Sequence, residues 1–105
     1  MLWFKSNKVI DEFSTKLATD LAQRYPVALE KDPTKTRNPT RLAKAFDSTF
    51  NRAIDFQNER KLGVYGKARL GNTFRWKLKE LGYPEEFIEL ATKSLIHLIS
   101  AQRSP

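Results

Sequence analysis

Side chains suited to a binding surface cluster in one stretch of the sequence, residues 67–81. Trp76 has Arg75 beside it, Lys79 three positions after it, and Arg69 two helical turns before it. At about 100° per residue they lie on the polar side of a helix, away from its apolar stripe. An indole flanked by cations can stack on an unpaired base while the cations contact phosphates. It can equally anchor a protein partner, because Trp and Arg dominate interface hot spots.

The sequence leaves two possibilities for the indole of Trp76. Large aromatic side chains are usually mostly buried, and the apolar segment at residues 2–4 has no other place in the predicted core. We therefore expect Trp3 and Phe4 to cover Trp76. The alternative is an exposed indole that is available to bind a ligand.

A second set of cations runs from a polar segment into the helix that follows it. Its members are Lys31, Lys35, Arg37, Arg41 and Lys44. We predict a flexible basic loop over residues 26–38, because the segment is polar and interrupted by Pro33. On nucleic acid, each phosphate that these cations neutralise would steepen the salt dependence by about 0.7–0.9 in a log–log plot. The alternative is a solvated loop without a ligand.

The glycines all lie within KLGVYGKARLGNTFRWKLKELGY, residues 61–83. A phosphate-binding loop needs closely spaced glycines between a strand and a helix, and this segment has neither the spacing nor the strand. We predict instead an inter-helix turn at Gly63 and Gly66, in which Gly63 ends the preceding helix. We also predict a close helix contact at Gly71 and a helix end at Gly82.

No set of side chains in the sequence predicts catalysis or metal binding. His97 is the only histidine and cysteine is absent, so a nucleophile–base pair or a zinc site lacks its usual members. The carboxylates of residues 85–89 lie at a helix start, where the helix dipole favours them. We predict a protein that is not an enzyme and that uses no cofactor.

The net charge of +7 is concentrated in the middle of the chain, with +4 in residues 31–62 and +4 in residues 63–83. Such a field favours an acidic partner, either an acidic protein surface or nucleic acid. The lack of cysteine and of a signal-peptide pattern fits a cytoplasmic protein. The sequence contains no run of about 18 apolar residues, so we predict no transmembrane segment.

Apolar side chains recur at helical spacing in four segments. We predict helices at residues 8–25, 39–61, 67–81 and 84–101. Asn38 and Pro39 are typical of a helix start, and Pro84 starts the last helix. The third helix either includes Gly71 or starts later with Asn72 as its cap; the longer form gives a continuous apolar stripe and is the one that we predict.

The absence of alternating apolar residues predicts an all-α fold, a single domain of residues 1–105 built as a compact bundle of about four helices. We expect a non-enzymatic protein-binding or regulatory module with a basic face. The alternative is a nucleic-acid-binding protein that uses the face around Trp76 and the segment at residues 31–44. The broad apolar arc of residues 84–101 indicates either the most buried helix or a homodimer contact.

Overall fold

The structure, a computed structural model, describes residues 2–31 and 38–101, with side chains from residue 7 to 30 and from 38 to 101. It contains five helices: α1 (Leu2–Arg24), α2 (Ala28–Lys31), α3 (Pro39–Arg60), α4 (Val64–Glu80) and α5 (Glu85–Ala101). No strand occurs in these residues. The prediction of an all-α helical bundle is confirmed.

The four long helices form a ring in which α1 and α5 each pack against both α3 and α4. Two helical hairpins make up this ring. In the first, α3 runs antiparallel to α1, and Phe56 near the end of α3 stacks on Phe13 in the first half of α1, with ring centroids 4.0 Å apart. In the second, α5 runs antiparallel to α4. The hairpins lie side by side with α1 parallel to α4, and the ring therefore has an α1–α3 edge and an α4–α5 edge that share no helix.

Aromatic side chains fill the centre of the ring. The rings of Phe50 on α3 and Phe74 on α4 meet edge to face, with centroids 5.8 Å apart. Phe87 on α5 stacks on Tyr25, the residue that follows α1, at 5.5 Å. These four side chains have no accessible surface. Full burial of one large apolar side chain stabilises a fold by about 1.5–3 kcal/mol, so this cluster joins the hairpins into one core.

The first helix begins earlier than the predicted residue 8. It starts at Leu2, because residues 2–7 contain no glycine or proline to stop it. Its end at Arg24, before Pro26, agrees with the prediction.

The predicted loop at residues 26–38 contains a short helix, α2. The N–H of Leu29 donates to the carbonyl of Pro26 at 3.0 Å, and the hydroxyl of Tyr25 donates to the carboxylate of Glu30 at 2.8 Å. The first part of the segment is thus structured and hydrogen-bonded, contrary to the expectation of a loop. Residues 32–37 lie outside the described residues.

The start of α3 is as predicted, whereas its end is not. Asn38 accepts the N–H of Arg41 through its side-chain oxygen at 3.1 Å, and Pro39 is the first helical residue. The left-handed residue at the end is Lys61, with φ 51° and ψ 56°, rather than Gly63. Gly63 has extended backbone, with φ −82°, and precedes α4.

The predicted turn at Gly66 is also wrong, because α4 begins at Val64 and Gly66 lies buried inside its first turn. A helix that includes Gly71 is correct, and a helix capped by Asn72 is not found. A Cβ atom on Gly71 would lie 2.6 Å from Cδ1 of Ile96 on α5. The close contact expected at this glycine is therefore present.

Gly82 ends α4 as predicted. Its φ is 96°, a left-handed conformation that glycine adopts without strain. The N–H of Tyr83 donates to the carbonyl of Leu78 at 3.2 Å, and that of Gly82 donates to Lys79 at 3.0 Å. These two bonds form a Schellman end. The hydroxyl of Tyr83 donates to the carbonyl of Tyr25, which connects the second hairpin to the end of α1.

Candidate binding surfaces at two edges of the bundle

Trp76 is exposed on the outer side of α4, with 59% of its surface accessible. The expectation that the indole is covered is wrong. Ile10 lies beside Gly66 and Tyr25 beside Tyr83, so the start of α1 lies near the start of α4. Residues 2–4 are therefore at the end of the bundle remote from Trp76, and the side chains of Trp3 and Phe4 are outside those described.

The indole forms one wall of a groove of about 200 Å³ on the α4–α5 edge. This Trp76 groove is lined by Asn72, Arg75, Trp76, Lys79, Glu85 and Ile88. The ammonium of Lys79 lies 5.2 Å from the ring centroid, within the range of a cation–π interaction. The groove thus offers an aromatic surface with a cation next to it.

Most other charges on the α4–α5 edge have partners. A guanidinium nitrogen of Arg75 lies 3.4 Å from a carboxylate oxygen of Glu89, and Lys93 lies 3.8 Å from the other oxygen. In the described chain, Lys79 forms no ion pair. The positive charge available to a ligand in the Trp76 groove therefore comes chiefly from Lys79.

Arg69 does not belong to this groove, although the sequence places it on the same helix. Its Nε and Nη2 donate to the two carboxylate oxygens of Asp11 on α1, each at 2.8 Å. Its Nη1 donates to the hydroxyl of Tyr65 at 3.0 Å, and the hydroxyl of Thr73 donates to Asp11 at 3.2 Å. The hydrogen bond from Arg69 lowers the pKa of Asp11 below its ordinary 3.8. Arg69 therefore connects α1 to α4.

A larger concavity, about 510 Å³, lies on the α1–α3 edge. This cationic cavity is lined by Arg24, Asn38, Thr40, Arg41, Lys44, Ala45 and Ser48. Arg24 comes from the last turn of α1, and the others come from the first turns of α3 and its cap. The antiparallel arrangement of the two helices brings these segments together.

The cations of this cavity have few partners among the residues that the structure describes. The Nε of Arg24 donates to Asp20 at 3.1 Å, and the same carboxylate oxygen accepts the hydroxyl of Thr49 at 3.1 Å. Arg41 donates from Nη2 to the backbone carbonyl of Arg24 at 3.5 Å. Neither Arg41 nor Lys44 forms an ion pair in the part of the chain that the structure describes. Within the described residues, two of the three positive charges thus have no carboxylate partner.

The predicted binding residues are therefore divided between the two edges. Arg75, Trp76 and Lys79 lie on the α4–α5 edge, whereas Arg41 and Lys44 lie on the α1–α3 edge. The side chains of Lys31, Lys35 and Arg37 lie outside the described residues.

The sequence did not predict that Arg24, Thr40 and Ser48 line the cationic cavity. Arg24 has the local pattern of a favourable charge at a helix C-terminus. Its place beside Arg41 depends on the packing of α1 against α3, for which the sequence carries no local signal.

The broad apolar arc of α5 is buried within the chain. Its buried residues are Phe87, Ile88, Ala91, Thr92, Leu95 and Ile99, which pack towards α3 and α4. Leu90 is the exposed large apolar residue of this helix, with 38% of its surface accessible. Burial in one chain accounts for most of the arc, and a homodimer through α5 stays a prediction.

In the described part of the chain, no three His, Cys, Asp or Glu side chains gather as they would around a metal ion. No helix among these residues combines the length and the apolar character needed to cross a bilayer. No protein-family model, curated protein or solved structure matched the chain when it was compared with them. A functional proposal therefore depends on the two surfaces.

Proposed function

We propose that this protein is a non-enzymatic binding module that recognises a protein partner through the Trp76 groove. The exposure of the indole carries the proposal. Full burial of a large apolar side chain contributes about 1.5–3 kcal/mol, and Trp76, with 59% of its surface accessible, forgoes part of that free energy. Trp is also one of the residues enriched at interface hot spots. A cytoplasmic location, supported by the absence of cysteine, is part of the same proposal.

The chemistry of the groove favours an acidic partner segment with an apolar side chain. The apolar side chain would cover the indole, and a carboxylate beside it would reach Lys79, which has no carboxylate partner of its own in the described chain. The overall charge of +7 would attract such a segment over a distance. Glu85 on the α5 wall of the groove would repel a carboxylate placed there, and so would help to fix the direction in which the segment lies.

A displayed peptide library tests this proposal although the partner is unidentified. Peptides are selected on the wild-type protein and counted again on Trp76→Ala. We expect the enriched peptides to contain acidic residues beside one large apolar residue, and Trp76→Ala to weaken their binding by about ten-fold or more. Lys79→Gln should weaken binding less, in a salt-dependent manner.

Two matched variants serve as controls. Val64→Ala removes an exposed apolar side chain on α4 that does not line the groove, and Lys16→Gln removes an exposed cation on α1. Both should bind the selected peptides like the wild type. If no selected peptide distinguishes the wild type from Trp76→Ala, the proposed function is wrong.

Single-stranded nucleic acid is the second candidate ligand of the same groove. The observation that favours it is the position of Lys79 over the indole, since an aromatic platform with adjacent cations is how unpaired bases are bound. Stacking of one base contributes about 1–3 kcal/mol, so Trp76→Ala should weaken oligonucleotide binding at least several-fold. Oligonucleotide binding that is absent at low salt, or unchanged in Trp76→Ala with Lys79→Gln, excludes this candidate.

A homodimer contact through α5 is a further part of the proposal, with Leu90 as its exposed apolar residue. Light scattering at high protein concentration measures the mass directly. A monomer mass under these conditions would exclude the dimer, and Leu90→Ala should shift a dimer towards the monomer.

A further inference from the structure

The cationic cavity on the α1–α3 edge shares no lining residue with the Trp76 groove. It presents cations and hydroxyl groups instead of an aromatic ring. Its volume is about 510 Å³, and it is open to solvent, because all of its lining residues except Ala45 are exposed. Its walls carry two guanidinium groups, one ammonium group and two hydroxyl groups, from Arg24, Arg41, Lys44, Thr40 and Ser48.

The stability of the fold does not explain why Arg41 and Lys44 are cations. Arg41 lies in the first turn of α3, where the positive end of the helix dipole disfavours positive charge, and Lys44 lies in the second turn. They are three residues apart on one helix, a spacing at which like charges repel. Within the described chain neither forms an ion pair. The Arg41 side chain has only a 3.5 Å hydrogen bond to the carbonyl of Arg24, and Lys44 has no offset there for these unfavourable terms. A bound anion would provide that offset.

The donors of the cavity match a tetrahedral oxyanion. Arg41 Nη2 lies 3.5 Å from the carbonyl of Arg24, so the Arg41 side chain reaches across the gap between the helices. A guanidinium can then donate two parallel hydrogen bonds to one oxyanion, and Lys44 adds a point charge. The hydroxyls of Thr40 and Ser48 on the same wall are further donors.

We propose that the cationic cavity is a binding site for a phosphate group. A phosphate group offers two or three unesterified acceptor oxygens and one or two negative charges, which suits a wall that presents several donors from two helices. The phosphate belongs either to a small phosphorylated molecule or to a nucleic-acid backbone, and the two sources share this chemistry.

Nuclear magnetic resonance titration tests the site and separates the two sources. The isotopically labelled chain is titrated with inorganic phosphate and, separately, with a short thymidine oligonucleotide, each at low and at physiological salt. We expect the amide signals of residues 40–48 to shift with at least one probe. A site for small molecules binds inorganic phosphate, whereas a backbone site binds the oligonucleotide much more tightly, with a salt slope that falls by about 1 in Lys44→Gln.

Two variants test whether the lining side chains bind the anion. Lys44→Gln leaves the hydrogen bond between Arg41 and Arg24 in place, and it should weaken binding of the better probe by about ten-fold. Arg41→Gln should weaken binding at least as much. Because it also removes the contact with α1, its folding is checked by circular dichroism.

The matched control is Arg52→Gln, which removes the same charge from an exposed position of α3 outside the cavity. Binding by this variant should stay within about two-fold of the wild type at physiological salt. The proposal is overturned if neither probe shifts residues 40–48. It is equally overturned if Arg52→Gln weakens binding as much as Lys44→Gln does, since binding would then depend on net charge alone.

Discussion

The Trp76 groove and the cationic cavity lie on different hairpins of one bundle, and they differ in whether their cations are paired with carboxylates. On the α4–α5 edge, Arg75 has a carboxylate partner on the neighbouring helix, and the unusual feature is an exposed indole. On the α1–α3 edge the cavity is lined without an aromatic side chain, and the unusual feature is a pair of cations with no carboxylate partner in the described chain. The first surface suits an apolar contact, and the second suits an anion.

The two halves of the positive charge excess in the sequence are therefore not equivalent. Residues 31–62 and 63–83 each sum to +4, and on this ground they look alike. Much of the second excess is neutralised on folding, because Asp11 on α1 reaches Arg69 and Glu89 on α5 reaches Arg75. Within the described residues, Arg41 and Lys44 receive no such carboxylate. Charge counted along a chain thus says little about charge on a surface until the pairs between helices are known.

Both surfaces depend on the aromatic core that joins the two hairpins. Loss of a core side chain should therefore have the largest effect on stability. Phe74→Ala removes a fully buried ring that contacts Phe50. It should lower the free energy of unfolding by about 3–5 kcal/mol, measured by urea denaturation. Trp76→Ala is the matched control, because loss of its mostly exposed ring, with the contact to Lys79, should change stability by about 1 kcal/mol or less. Similar losses in both variants would contradict the exposure of Trp76.

Alkaline titration examines the contact between the hairpins at Tyr83. Burial, with smaller contributions from Tyr25 and Glu30, raises the pKa of Tyr83 from 10.0 to about 12. The unfolded chain therefore loses this proton first. Stability should be unaffected below about pH 10 and fall by about 2 kcal/mol as the pH rises to about 12.

The measurement is the urea midpoint between neutral and alkaline pH, with Tyr83→Phe as the control. The variant keeps the ring that stacks on Phe87, with centroids 4.5 Å apart in the wild type, and it should show a smaller alkaline decline. An identical decline in the two proteins would mean that Tyr83 does not cause it.

Acid titration tests the neutralisation of the α4 charges by α1. Because the pKa of Asp11 is lowered in the folded protein, the pair with Arg69 stabilises the fold above about pH 3.8, and this contribution is lost as the pH falls below that value. Asp11→Asn should therefore have a lower urea midpoint than the wild type at neutral pH. The difference should shrink near about pH 3.

The effect of Asp11→Asn should be smaller than that of Phe74→Ala, because the two charged side chains remain about one-third exposed. Glu12→Gln, at an exposed neighbouring position, controls for the loss of one negative charge. A difference between Asp11→Asn and the wild type that is independent of pH would contradict the ionic role of Asp11.

The smallest expected effects are changes of opposite sign in the free energy of unfolding when a lysine is replaced on each edge. Lys44→Gln should raise the free energy of unfolding by about 0.2–0.5 kcal/mol, because it removes the repulsion between Lys44 and Arg41. Lys79→Gln should lower it by about 0.5 kcal/mol through loss of the contact with Trp76. Thermal unfolding of the two variants at low salt measures both. A destabilised Lys44→Gln protein would show that Lys44 has a structural partner.

Features with local causes could be predicted from the sequence, and features with tertiary causes could not. Asn38 and Gly82 act through hydrogen bonds to residues a few positions away, so the start of α3 and the end of α4 were predictable. The left-handed Lys61 was not, because glycine, which adopts this conformation without strain, stands two residues later. The exposure of Trp76 and the pairing of Arg69 both depend on α1 running parallel to α4, which no local pattern in the sequence encodes.

Two successive carbonyl groups at the end of α1 give the protein a shared point of attachment. The carbonyl of Arg24 accepts Arg41, on the wall of the cationic cavity, and the carbonyl of Tyr25 accepts Tyr83, just beyond the helix that carries Trp76. The two halves of the chain are thus tied to adjacent peptide units. One turn of the chain thus has a hydrogen bond from each hairpin, from Arg41 on one side and from Tyr83 on the other.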